Sequence, residues 1–220
     1  MSRRMPYMRN PTYLSIDIDF WEEAETAERA ITNILDNIPK GTPTIAVMNH
    51  QQLLKAVNAS KASTLINIDT HSDFAGKDVR DFNCGTWTAY VTWRKEGKYI
   101  WYRSGVTDDE GRCDWNGDAW NSDSDWKTSR TAHRGQEYDF SKALDLKNVV
   151  GVGICLSPDF NMDHMMAYEK GVTTFEDVFK GLIHKYDIPY LKGRRNEDFG
   201  VYKIPSGVKD NRTMEERKAA

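Results

Sequence analysis

TLINIDTHSD, residues 64–73, sets an apolar run directly against three side chains able to bind a metal, Asp69, His71 and Asp73. Alternation along an extended strand sends residues i and i+2 to one face, so the three are expected together at the end of a strand, Thr64–Asp69. An unpaired buried carboxylate is costly enough that it neutralises or finds a cation, and three ionisable groups on one side of a buried strand have no cheap structural explanation. A set of oxygen and imidazole ligands suits Mn, Fe, Zn or Co rather than calcium, and without a thiolate it leans toward Mn or Mg.

The same device appears upstream. YLSIDIDF (Tyr13–Phe20) reads as a strand bearing Asp17 and Asp19, and a strand at Thr44–Met48 is followed by His50. Taken singly, Asp-x-Asp also fits a turn or helix-cap pair, and His50 also fits a packed or capping histidine. Between the strands, Ala27, Ala30, Ile31, Ile34, Leu35 and Ile38 recur at helical spacing until Pro39-Lys40-Gly41, and a short helix is expected from about Gln51 to Val57. Strands alternating with helices indicate an α/β fold, a three-layer sandwich around a largely parallel sheet. Gly85–Arg103 reads either as a helix and a strand or as a hairpin. Asn148–Leu156 (NVVGVGICL) is a strand buried on both faces, and Thr173 or Thr174 caps a helix with Phe175, Val178, Phe179, Leu182 and Ile183 on one side.

With 220 residues, 39% of them hydrophobic, the chain suits one domain spanning 1–220, with a polar insertion over Ser104–Gln136 and a loose charged tail from about Ser206. No apolar run approaches the roughly 20 residues of a membrane span, and the basic N-terminus lacks an apolar signal core, so the expected location is cytoplasmic, with no membrane partner. Cys84, Cys113 and Cys155 are odd in number and lack CxxC spacing, which argues against a disulfide framework and a zinc knuckle and leaves ordinary thiols. A net charge of −3 from well-mixed signs offers no broad nucleic-acid footprint. Arg3-Arg4 and Lys192–Arg195 are short enough to be solvated surface.

NIDTHSDF resembles the DAHxD strand motif of the arginase, agmatinase and deacetylase superfamily, SIDIDF resembles its SxDxD motif, and His50 resembles the histidine preceding them on a neighbouring strand. The likeness is greater to a small branch that includes peptide arginases, which convert arginine side chains of ribosomally made precursor peptides to ornithine; there the GTW segment (Gly85–Trp87) and the strand ending ICLSPDF are also similar. The resemblance covers about residues 13–160 and implies an arginase-like fold and two Mn2+ ions. It implies that Asp69 and Asp17 bridge them, that His50 and Asp73 complete one shell, and that His71 and Asp19 complete the other. Activated water would attack the guanidinium carbon, releasing urea and leaving an amine, with Asp73 also orienting that water. A carboxylate is needed for the substrate cation. Asp159 is the candidate, or else a turn-forming residue. His164 and His133 are candidates for the proton shuttle, or else surface histidines.

Two departures stand out. The superfamily places its DAHxD strand before its DxD strand, whereas SIDIDF comes first here, which implies a rearranged strand order. The histidine segment that carries the shuttle in arginases is replaced by Asn83-Cys84-Gly85. Other readings remain: a deacetylase or small-molecule ureohydrolase; a haloacid-dehalogenase-type phosphohydrolase with Asp17 as nucleophile; or a calcium-dependent binding module on Asp114, Asn116, Asp118 and Asp125, in which Ala119 stands where an EF-hand needs Gly. The acidic, tryptophan-bearing insertion is either a solvated loop or a surface for an extended cationic peptide. If it holds peptide, its removal lowers turnover of a long arginine peptide more than that of free arginine; equal losses in a urea assay refute the role.

Overall fold

Tyr13, Leu65, Tyr99 and Trp101 face one side of a sheet while Leu14, Ile16, Ile66, Ile68 and Tyr102 face the other, all buried, and this two-sided burial underlies the architecture. The computed structural model describes residues 10–74, 82–94, 96–104, 129–132, 138–157 and 173–192. Its strands are β1 (Thr12–Asp17), β2 (Thr44–Val47), β3 (Thr64–Ile68), β4 (Lys98–Ser104), β5 (Ser129–Ala132), β6 (Val149–Cys155) and β7 (Tyr190–Leu191). They form one sheet in the order β5-β4-β3-β1-β6-β2-β7, and every pairing is parallel.

Helices α1 (Ala24–Asn37), α3 (Phe140–Ala143) and α4 (Phe175–Tyr186) pack on the Leu14/Ile16 face. The opposite face carries α2 (Leu54–Ala59) and the 3-10 turns His50–Leu53 and Trp87–Tyr90. The result is the expected α/β three-layer sandwich. The expected helix from Gln51 to Val57 is instead a 3-10 turn running into α2, and the ambiguous Gly85–Arg103 stretch becomes a 3-10 turn followed by β4, not a hairpin. The insertion expected to be irregular from 104 to 136 contains β5, which pairs with β4. Its remaining residues, and the tail from 206, lie outside the described residues.

Local signals place the helices. α1 buries Ala27, Ile31, Ile34 and Leu35 along one stripe. α4 begins with a reciprocal cap in which Thr174 Oγ1 accepts from Asp177 N at 3.1 Å and the Asp177 carboxylate accepts from Thr174 N at 3.2 Å.

Two glycines of β6 make room for the α2 face. A Cβ on Gly151 would stand 2.6 Å from the Tyr13 ring, and one on Gly153 would stand 2.5 Å from Leu53. Both neighbours are buried and packed, so neither gives way freely. Gly151→Ala is therefore expected to destabilise by about 1–3 kcal/mol in urea unfolding. Gly181→Ala, in α4 with nothing within 4 Å of the added carbon, is expected to stabilise by about 0.5–1 kcal/mol.

Candidate metal centre

Asp17 closes β1, and Asp69 follows β3 by one residue. Because Ile16 pairs with Ile68 in parallel register, the two aspartates leave adjacent strands side by side. β1 thus lies beside β3 despite its early place in the chain. His50 comes from farther away than a neighbouring strand: β2 lies beyond β6, and the turn His50–Leu53 sets the ring over the ends of the central strands.

The expected strand alternation is not what gathers the remaining ligands. β1 ends at Asp17 in the 3-10 turn Ile18–Phe20, and β3 ends at Ile68, so Asp19, His71 and Asp73 all sit on turns. Short polar side chains bend the chain around themselves there. An Asp17 oxygen accepts from Asp19 N at 3.4 Å, and Asp69 Oδ1 accepts from His71 N at 2.7 Å. Asp73 then adopts a left-handed backbone, φ 51°, and Ser157 another, φ 44°. Such conformations are strained for non-glycine residues and persist where the surroundings over-determine them.

These turns bring all six expected ligands together. His50 Nδ1 lies 2.7 Å from Asp73 Oδ2, 3.1 Å from Asp69 Oδ2 and 3.3 Å from Asp17 Oδ2. His71 Nδ1 lies 3.7 Å from Asp69 Oδ1. Two ligand trios result, His50/Asp69/Asp73 and Asp19/Asp69/His71, each with its atoms within 4.8 Å of one another, and Asp69 belongs to both. The first trio is fully buried, whereas the His71 side chain is 32% exposed.

The electrostatics are those of crowded, buried carboxylates. Burial first, and then the neighbouring charge of Asp19, pushes the Asp17 carboxyl well above its usual value. Burial and the Asp69 charge push Asp73 up to about 7. Asp69 moves the other way: burial disfavours its charge, but hydrogen bonds from His50 and His71 outweigh it and hold the carboxyl well below the usual range. Burial alone would lower both imidazoles. The carboxylates of Asp73 and Asp17 lift His50 well above its ordinary value, and the hydrogen bond to Asp69, with the charge of Asp19, lifts His71 to about 10. The ion-pair partners of Asp17, Asp69 and Asp73 are these histidines. One proton on Nδ1 cannot serve three carboxylate oxygens that converge on it, whereas a divalent cation can.

Surrounding groups hold the ligands in place. Ser157 Oγ donates to Asp17 Oδ2 at 2.5 Å, Trp87 Nε1 donates to Asp73 Oδ2 at 2.6 Å, and Asn67 Nδ2 donates to Asp69 Oδ2 at 3.1 Å. Ser15 Oγ lies 3.0 Å from His50 Nε2; as acceptor it leaves Nδ1 with a lone pair for a cation. Among the described residues Asn67 Oδ1 is buried with no hydrogen-bond partner, on the amide whose Nδ2 is bonded to the Asp69 carboxylate. Donor chemistry, convergence and the orphaned Asn67 acceptor together fit a cation at this centre.

Ser15 and Asn67 each stand two residues before a ligand in a buried strand, and polar residues there were the available signal. Ser157 and Cys155 carried none, since cysteine in an apolar strand reads as core. Of the other expected site residues, His133, Asp159 and His164 lie outside the described residues. No protein-family model matches the chain, and no curated protein or solved structure matches it.

Saturating Mn2+, at about a hundred times its dissociation constant, is expected to raise the thermal midpoint by about 5–10 °C, reversed by a chelator. Asp69→Asn, which alters the carboxylate common to both trios, is expected to lose bound metal in elemental analysis. Unchanged metal content in that variant refutes its shared role.

Proposed function

We propose that this chain is a binuclear manganese hydrolase that cleaves the guanidinium group of peptidyl arginine, yielding ornithine and urea. The observation that carries the two-ion reading is the position of Asp69, common to two ligand trios at the carboxyl ends of parallel strands, where α/β folds place their sites. Its Oδ1 faces His71 and its Oδ2 faces His50, an arrangement suited to a bridging carboxylate. The DTHSD and SIDID motifs support the metal chemistry, and the guanidinium specificity rests on the likeness of the Gly85–Trp87 and ICLSPDF segments to the branch that includes peptide arginases.

In this reading His50 and Asp73 would hold one ion and His71 and Asp19 the other, with Asp17 and Asp69 as the carboxylates available to both. Divalent ions so placed supply, when bound, a water-derived nucleophile near neutral pH. The residues do the rest. Asp73, fixed by the Trp87 N–H, orients the attacking water. Asp159 accepts the paired N–H groups of the guanidinium. His164 or His133 delivers the proton to the departing amine. Asp17 is buried, bonded by Ser157 and turned toward His50, which suits a ligand better than a nucleophile open to a phosphate ester. Among the described residues, no helix is long and apolar enough to cross a membrane.

The test incubates Mn-loaded protein with an arginine-containing peptide, free arginine, agmatine and an acetylated amine, reading urea, acetate and peptide mass. Urea, with a peptide lighter by CH2N2, is the expected outcome. Acetate without urea would assign the centre to deacetylation, and urea from free arginine or agmatine alone would remove the peptide from the proposal.

A further inference from the structure

Cys155 has no part in the reading above, yet it is placed against the inner ligands. It ends β6, is fully buried, and is the register partner of Asp17 on β1. Its Sγ, an Asp17 carboxylate oxygen and a His50 ring nitrogen all lie within 4.8 Å of one another, a third trio that overlaps the His50/Asp69/Asp73 trio at His50. Two ligand atoms on one ion, each at roughly 2.0–2.3 Å from it, stand no more than about 4.6 Å apart, so three atoms within 4.8 Å of one another can share a shell after small side-chain shifts. The sulfur is also tied to a ligand through hydrogen bonds. Its thiol reaches Met48 O at 3.4 Å and Ser157 Oγ at 3.2 Å, and that hydroxyl donates to Asp17.

We propose that Cys155 is a thiolate ligand of the ion held at His50 and Asp17, so that this buried position selects zinc, cobalt or iron(II). The outer Asp19/Asp69/His71 position, made of oxygens and one imidazole, retains manganese. Thiolate favours the softer ions, while carboxylate-rich sets suit manganese, so a single sulfur on one side of the pair makes the two positions chemically unequal. On binding, one metal–sulfur bond forms and the thiol proton is released to solvent; nothing is oxidised or reduced. This inference rests on the two-ion reading and revises it at one point: manganese is kept at the outer position and replaced by a softer ion at the inner one.

The test uses the full chain, reduced and metal-free, titrated anaerobically with Co2+. Bound metal is counted by elemental analysis, and the near-ultraviolet thiolate-to-cobalt charge-transfer band is recorded. The band is expected in the unmodified chain, lost in Cys155→Ser and kept in Cys84→Ser and Cys113→Ser. In competition, the preference for zinc over manganese at the inner position is expected to fall about tenfold in Cys155→Ser. Cys155→Ala, small and apolar in a buried strand, must also lose the band, which covers the case of serine disturbing the fold. Two cobalt ions bound without the band, or a band that survives both substitutions, overturn the sulfur ligand and leave the two-ion reading standing. Failure to bind cobalt overturns both.

Discussion

Crowding of like charge at the ends of two adjacent strands is the constraint around which this structure is arranged. Asp17, Asp19, Asp69 and Asp73 are all nearly excluded from solvent, where carboxylates repel one another far more strongly than in water. Hydrogen bonds from Ser157, Trp87 and Asn67 and the two imidazoles answer only part of that repulsion. Left-handed backbone at Asp73 and Ser157 adds conformational strain at the same place. Repulsion and strain thus accumulate at one point where converging lone pairs could hold a cation.

The sheet makes this concentration affordable in structural terms. A parallel sheet covered on both faces gathers the carboxyl ends of its strands along one edge, and β1 lies at its centre between β3 and β6. Each ligand therefore leaves a strand whose apolar residues are packed on both sides, which limits how far the carboxylates can move apart. Tyr99 and Trp101 carry this rigidity into the ligand turn: the Tyr99 hydroxyl donates to Ser72 O and Trp101 Nε1 to Asp69 O. Trp87 serves both layers, bonding Asp73 while its ring lies 5.6 Å from that of His50.

The two sides of this side-chain cluster are unequal in their surroundings. One is enclosed by His50, Asp73 and Asp17, with Cys155 near; the other is reached past a His71 that is partly open to solvent.

The α/β class, the main strands and all six charged or imidazole side chains of the centre were readable from residue order, because apolar runs, helical spacing and buried carboxylates are local patterns with local physical causes. The capped start of α4 at Thr174 is of the same kind. What residue order could not decide was how the six side chains meet. The alternation at Asp17–Asp19 and Asp69–Asp73 suggested strand faces, yet turns built by aspartate side chains and a left-handed Asp73 produce the convergence. The pairing of β1 with β3, the approach of His50 from beyond β6, and the arrival of Ser157 and Cys155 beside Asp17 join residues up to 140 positions apart. Strand order across a sheet is set by which faces can be buried together, a property of the whole core, and tertiary packing alone decided it.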